Sequence, residues 1–95
     1  MSDSDFIKNL SLNDRINGYE VTMIVKNVTL DENGRLEVLN ELMMEKQDVT
    51  ISVVRDRETG EYKFSIYEQN QRVDSFTRKS GNLRQLLNIV TKSTG

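Results

Sequence analysis

The stretch from Asp48 to Thr77 constrains the fold most, because apolar and polar residues alternate along three successive segments. The inward-facing residues of the first two segments share a spacing of two: Val49, Ile51, Val53, Tyr62, Phe64 and Ile66. This period is typical of strands with one buried face. Turn signals at Arg57–Gly60 and Gln69–Asn70 separate the segments. We therefore predict a meander of three antiparallel strands. Val73 and Phe76 have opposite parity, which predicts a β-bulge or an exposed side chain in the last strand.

The first half of the chain begins with a weak pattern. Residues 1–17 contain only a short candidate helix turn, which Ser4 could cap. We predict a weakly ordered segment there and a single α+β domain over residues 18–95, a usual size for one domain. Asn17-Gly18 predicts a turn, and Tyr19–Val28 predicts a strand rich in β-branched residues.

The run from Thr29 to Lys46 fits two structures. Its apolar residues fall on one side of a helical wheel: Leu36, Val38, Leu39, Leu42 and Met43. As a strand, the same run would place Asn40 among the inward residues, so the pattern favours a helix. Asn33-Gly34, however, is also a strong hairpin signal. Both interpretations of Asp31–Gly34 stay open: it opens the helix, or it forms a turn before it.

A second helix is predicted near the carboxyl end. Its apolar side is formed by Leu83, Leu86, Leu87, Ile89 and Val90, and Ser80 or Asn82 would cap it. The predicted order is strand, helix, three strands, helix. The predicted fold class is therefore α+β with two layers, in which two helices cover one face of an antiparallel sheet of about four strands.

The composition removes several chemistries. The 95 residues include no cysteine and no histidine, so thiolate sites, disulfides and imidazole proton transfer are excluded. We predict no catalytic residue, metal site or cofactor, and hence no enzyme. No apolar run is long enough to span a membrane, and the first residues do not resemble a secretory signal, so the expected location is the cytoplasm.

The segment Thr77–Asn82 raises the possibility of anion binding. Residues 1–50 carry ten acidic and five basic residues, whereas residues 51–95 carry five acidic and eight basic ones. A helix start offers free backbone N–H groups to an anion, and nearby cations would add attraction. The candidate residues for an anion or a nucleic acid are Arg78, Lys79, Ser80 and Arg84. A capped helix start with solvated cations explains the same residues.

The outward face of the predicted sheet is the other candidate surface. Aromatic and arginine side chains are favoured at protein interfaces. The interface candidates are Lys63, Tyr67, Arg72 and Phe76. The sequence thus favours a non-enzymatic protein-binding module, accessory or inhibitory and possibly homodimeric. The alternative is a nucleic-acid-binding domain that uses the basic start of the last helix. The predicted helix, three antiparallel strands and helix, with cations opening the last helix, resemble double-stranded-RNA-binding domains in topology only. A protein partner is expected over a nucleic acid, and no membrane partner is expected.

Overall fold

A computed structural model describes residues 3–32, 34–79 and 82–94, and within them one antiparallel sheet of six strands carries two short helices. The elements in chain order are α1 (Asp3–Asn9), β1 (Arg15–Ile16), β2 (Tyr19–Asp31), β3 (Gly34–Lys46), β4 (Val49–Arg55), β5 (Tyr62–Glu68), β6 (Gln71–Arg78) and α2 (Leu83–Ser93). Each strand pairs with its neighbour in sequence, so the sheet order is β1 to β6 without a crossover. The sheet curves into a half-barrel, and we call its core-facing side the concave face and the other side the convex face.

The predicted α+β fold with about four strands, in the order strand-helix-strand-strand-strand-helix, is wrong. The run predicted as a helix over residues 36–46 is the strand β3, which pairs with β2 over its whole length. Asp31 pairs directly with Gly34, whose φ is +115°, so this segment closes a hairpin and does not open a helix. The second helix is α1, which lies before the sheet in sequence.

A β-bulge explains why β3 resembles a helix in sequence. The pairing shifts after Val25, which pairs with Glu41, because the next residue of β2 pairs with Leu39. Asn40 is therefore an extra residue on β3. As a result Leu39 and Leu42, which are three residues apart, are both fully buried in the core. The spacing of three that favoured a helix comes from one inserted residue in a strand.

The meander over the second half of the chain is confirmed, with the predicted turns. Gly60 has a φ of +76°, which any residue with a Cβ adopts at a cost. The predicted bulge in the last strand is also confirmed. The β5–β6 pairing shifts between Ile66 and Tyr67, which leaves Val73 as an extra residue with an exposed side chain.

The core lies between the concave face and the two helices. Its buried residues come from all the long elements except β6: Ile7, Leu10, Tyr19, Val21, Leu39, Leu42, Met44, Ile51, Val53, Tyr62, Phe64, Ile66, Leu83, Leu87 and Val90. On α2 the predicted apolar side is only partly right, because Leu86 is half-buried and Ile89 is 55% exposed.

Polar side chains at the start of β2 and in the turn before it hold the carboxyl end of α2. The side-chain amide of Asn17 donates to the Asn88 side chain at 2.7 Å and to the Thr91 hydroxyl at 2.9 Å. The Tyr19 hydroxyl donates to the Thr94 carbonyl at 2.8 Å. These bonds join the start of the sheet to the end of α2. The domain boundary predicted between residues 17 and 18 stays a prediction. None of the described helices has the length and apolar character that a membrane span requires.

Candidate binding surface along the β6 edge

The N-terminus of α2 is bound by a carboxylate of the same chain, that of Asp3. The Leu83 N–H donates to Oδ1 of Asp3, from α1, at 2.9 Å. The Gln85 N–H donates to Oδ1 of Asn82 at 3.1 Å, so Asn82 is the N-cap, one of the two predicted candidates. A carboxylate at a helix N-terminus interacts favourably with the helix dipole. Asp3 therefore occupies the position that the sequence offered to a phosphate.

Two of the cations predicted to act together, Lys79 and Arg84, line different grooves of the structure. The Arg78 guanidinium lies 4.9 Å from the centre of the Phe76 ring. Lys79 borders a shallow groove of about 330 Å³ beside α2. Arg84 lines a different cavity of about 700 Å³, between α1, β1 and α2. Ser80 lies outside the described residues. Arg78 and Lys79 thus share one end of β6, and Arg84 does not contribute to the same cavity.

The four interface candidates lie on β5 and β6, and they are divided between the two faces of the sheet. Tyr67 pairs with Arg72, and Lys63 pairs with Thr77, on the convex face. Phe76 lies on the concave face, where its ring stacks on Phe64.

The two rings have centroids 5.1 Å apart and are 10° from parallel. Phe76 therefore does not share the outward face with the other candidates. All of them nevertheless belong to β6 or to the strand paired with it.

The ladder pattern shows which backbone groups of β6 face outward. The Asp56 N–H donates to the Glu61 carbonyl at 2.8 Å, so this pair between β4 and β5 is hydrogen-bonded. Hydrogen-bonded and non-hydrogen-bonded pairs alternate along an antiparallel ladder. Even-numbered residues of β5 therefore bond to β6, and Phe76 pairs with one of them. Its neighbours Ser75 and Thr77 direct their N–H and C=O groups away from the sheet.

Two side chains of β6 bind these outward groups. Oδ1 of Asp74 accepts from the Ser75 N–H at 2.8 Å. Nη1 of Arg78 donates to the Thr77 carbonyl at 2.8 Å. In the described part of the chain no strand pairs with this edge. Exposed strand edges are ready templates for another strand, and proteins protect them with charged residues. The edge of β6 is thus not paired with any described strand, and its own side chains bind one outward donor and one outward acceptor.

Sequence reasoning identified the residues around β6 but missed Asp74. The available signal was a charged residue at an inward position of the last strand, which is typical of a protected edge. The sequence left open whether Val73 forms a bulge or has an exposed side chain, so it did not show that Asp74 lies on the concave face.

The other exposed feature is the β2–β3 hairpin, which extends beyond β4. Pairing of β3 with β4 begins only at Glu41, so the earlier part of β3 has β2 on one side alone. On its free side, Oγ of Ser4 in α1 accepts from the Glu37 N–H at 3.0 Å. Leu30 near the tip is 82% exposed. Helix α1 therefore covers part of this edge, unlike the edge of β6.

Two further observations concern ionisable side chains in the described part of the chain. Among the described residues, no three acidic side chains are grouped so that they could hold a metal ion. Burial raises the pKa of the Tyr62 phenol above its ordinary value, the Asp3 carboxylate adds to the rise, and Arg55 opposes it. This phenol lies in the core below α1 and not at the edge of β6. Comparison with known proteins gave no matching family model, no matching curated protein and no matching solved structure.

Proposed function

We propose that this chain is a non-enzymatic protein-binding module, accessory or inhibitory to its partner, that binds by adding a strand to the edge of β6. One observation carries the proposal: Ser75 and Thr77 present backbone donors and acceptors on an edge that no described strand covers. In strand addition the main-chain bonds supply affinity, and alternate side chains supply specificity.

The side chains around the edge suit this mode of recognition. Every described residue of β6 except Phe76 is exposed. On the convex face a partner strand would contact Thr77 and Arg72 of β6. Their paired residues on β5, Lys63 and Tyr67, lie one strand further into the sheet. On the concave face it would meet Asp74 and the Phe76 ring.

The same edge explains how the free protein avoids unspecific pairing. Asp74 and Arg78 satisfy one donor and one acceptor of the edge while no partner is present. A partner strand exchanges these two bonds for main-chain bonds, so binding leaves neither backbone group unsatisfied. A cytoplasmic location is part of this proposal, supported by a sequence without cysteine.

Nucleic-acid binding by Arg78, Lys79, Ser80 and Arg84 stays a prediction. Two of its supports are weaker than the sequence indicated. The predicted order of helices and strands is wrong, and the Leu83 N–H at the start of α2 already has a carboxylate.

A crosslinking experiment tests the proposed edge. A photoreactive amino acid at Lys63 lies beside the edge, whereas the same group at Asn27 lies on β2, far across the sheet. In the source cell we expect protein adducts from position 63 and few from position 27. Thr77→Pro removes an N–H that points outward and leaves the β5–β6 ladder intact. It should abolish the adducts. Equal adducts from both positions, or adducts unaffected by Thr77→Pro, would contradict binding at this edge.

A further inference from the structure

We propose that the edge of β6 pairs with the same edge of a second copy of this chain, antiparallel and centred on Phe76. This inference rests on the proposed function, because it names the partner of the same edge. It follows from the residues that flank Phe76 on each side.

The backbone of β6 is complementary to itself about Phe76. An antiparallel two-fold axis at Phe76 places Ser75 of one copy opposite Thr77 of the other. Both residues direct their N–H and C=O groups outward, so they form a hydrogen-bonded pair. The Ser75 N–H then donates to the Thr77 carbonyl of the second copy. These are the same two groups that Asp74 and Arg78 satisfy in the single chain.

The displaced side chains are complementary in the same register. Asp74, Phe76 and Arg78 lie on the concave face, since they pair with Ile66, Phe64 and Tyr62 of β5. The two-fold axis sets Asp74 opposite Arg78 of the second copy, and Arg78 opposite Asp74. Opposite charges directly across a strand pair stabilise it. Asp74 and Arg78 would each release the backbone group that they bind in the single chain. That backbone group would bond to the second copy, and the released side chain would meet a side chain of opposite charge.

The aromatic residues continue across the axis. Phe76 is already stacked on Phe64 with 5.1 Å between ring centroids. Phe76 of the second copy would lie directly opposite, in a non-hydrogen-bonded pair whose side chains approach closely. The result is a row of four rings across the interface.

Neighbouring registers lack this complementarity. An axis at Ser75 sets Asp74 opposite Phe76 and brings Thr77 against the bulge at Val73. An axis at Thr77 sets Arg78 opposite Phe76 and leaves Asp74 beyond the strand. Only the axis at Phe76 uses both outward residues of each copy and neutralises both charges.

The interface is limited to one strand from each copy. Standard interfaces bury about 1,600 Å² in total, and eight residues of a strand supply less than that. The single chain also satisfies one donor and one acceptor of the edge by itself. We therefore expect a reversible dimer with a Kd in about the micromolar range.

A charge-exchange experiment tests both the partner and the register. Asp74→Arg alone places arginine opposite Arg78 of the second copy, and Arg78→Asp alone places two aspartates opposite each other. Each variant should weaken self-association about tenfold or more in sedimentation velocity. A mixture of the two variants restores opposite charges at both positions. It should therefore form a heterodimer at the protein concentrations at which the wild-type chain dimerises. Matched controls are Glu58→Arg and Arg57→Asp in the exposed β4–β5 turn. These variants should self-associate as strongly as the wild-type chain.

The outcomes separate this inference from the proposed function. A wild-type chain that stays monomeric up to about 1 mM, or single variants that dimerise as well as wild type, would overturn self-pairing. So would a mixture that forms no heterodimer while circular dichroism shows both variants folded. If a monomeric chain still crosslinks a different protein from position 63, and Thr77→Pro abolishes that adduct, the proposed function stands and only self-pairing fails.

Discussion

Removing the Asp3 carboxylate should destabilise the protein, although this residue lies near the start of the chain. Asp3 accepts the Leu83 N–H at 2.9 Å across 80 residues of sequence. Leu83 itself is fully buried. Asp3→Ala therefore leaves a backbone donor without its acceptor at a partly buried site.

The expected magnitude follows from the kind of bond. A hydrogen bond to a charged group contributes about 1.5–3 kcal/mol, and a carboxylate at a helix N-terminus adds about 0.3–1 kcal/mol. The bond is only partly buried, which places the loss toward the lower end of the summed range, at about 2–3 kcal/mol for Asp3→Ala. In a domain of this size, that loss lowers Tm by about 8–24 °C. Asp3→Asn keeps an acceptor and loses the charge, so its cost should be intermediate.

Chemical and thermal denaturation of three variants measures this effect. The matched control is Asp5→Ala, because Asp5 lies on the same helix with an exposed side chain. Its stability should stay within about 0.5 kcal/mol of wild type. If Asp3→Ala and Asp5→Ala proved equally mild, Asp3 would not be a functional cap of α2 in solution, and the helix start would be available to an external anion.

On α2, Leu87→Ala should cost about 2–5 kcal/mol because Leu87 is fully buried, whereas Ile89→Ala should cost less than about 0.5 kcal/mol because its side chain is 55% exposed. Equal losses in urea melts would contradict the orientation of this helix. The Tyr62 phenol should titrate above its ordinary pKa of 10.0. Its contribution to stability is complete below pH 10 and is lost as pH rises through the raised pKa, so Tyr62→Phe should reduce the alkaline loss of stability measured by circular dichroism. Replacing Arg78 and Lys79 with Glu lowers the net charge of −2 by two units per substitution. If the chain binds nucleic acid there, the change should abolish binding of labelled duplex RNA at low salt, and a wild-type chain that binds no RNA or DNA at low salt would contradict that alternative.

The strands of the second half could be predicted because their alternation is interrupted at one place only. Each of β4 and β5 keeps a period of two in its apolar residues, and the turns that follow these strands contain residues at positive φ, Gly60, Gln69 and Asn70. The bulge at Val73 was also predictable, because Val73 and Phe76 have opposite parity. The N-cap could be narrowed to Ser80 or Asn82 because few residue types serve this position, and the structure shows that it is Asn82.

The error in β3 arose from a competition between two periods. A single extra residue at Asn40 changes a strand period into a spacing that fits a helix. Pairing with β2 and β4 makes this segment a strand despite its local pattern. The sequence of one strand alone does not predict such pairing. The Asn33-Gly34 signal pointed to the hairpin correctly. The two-residue strand β1 was missed because its length carries no period.

The sequence predicted which residues form the candidate surface but not how they are arranged around β6. Arg72 and Tyr67 were identified as exposed residues of a sheet, and they lie next to each other on the convex face. The role of Asp3 could not be predicted, because nothing in the local sequence relates α1 to α2.

The contacts between α1 and α2 also determine the order in which this protein can fold. Every strand pair is a local hairpin, so the sheet can form step by step as the chain leaves the ribosome. The bonds from Asp3, Asn17 and Tyr19 to α2 and the residue after it span 71 to 80 residues, so they form only after α2 has been synthesised. Until then the concave face lacks one of its helices and exposes apolar surface, which makes nascent chains prone to association. Docking of α2 is therefore the last step in the formation of the core during synthesis.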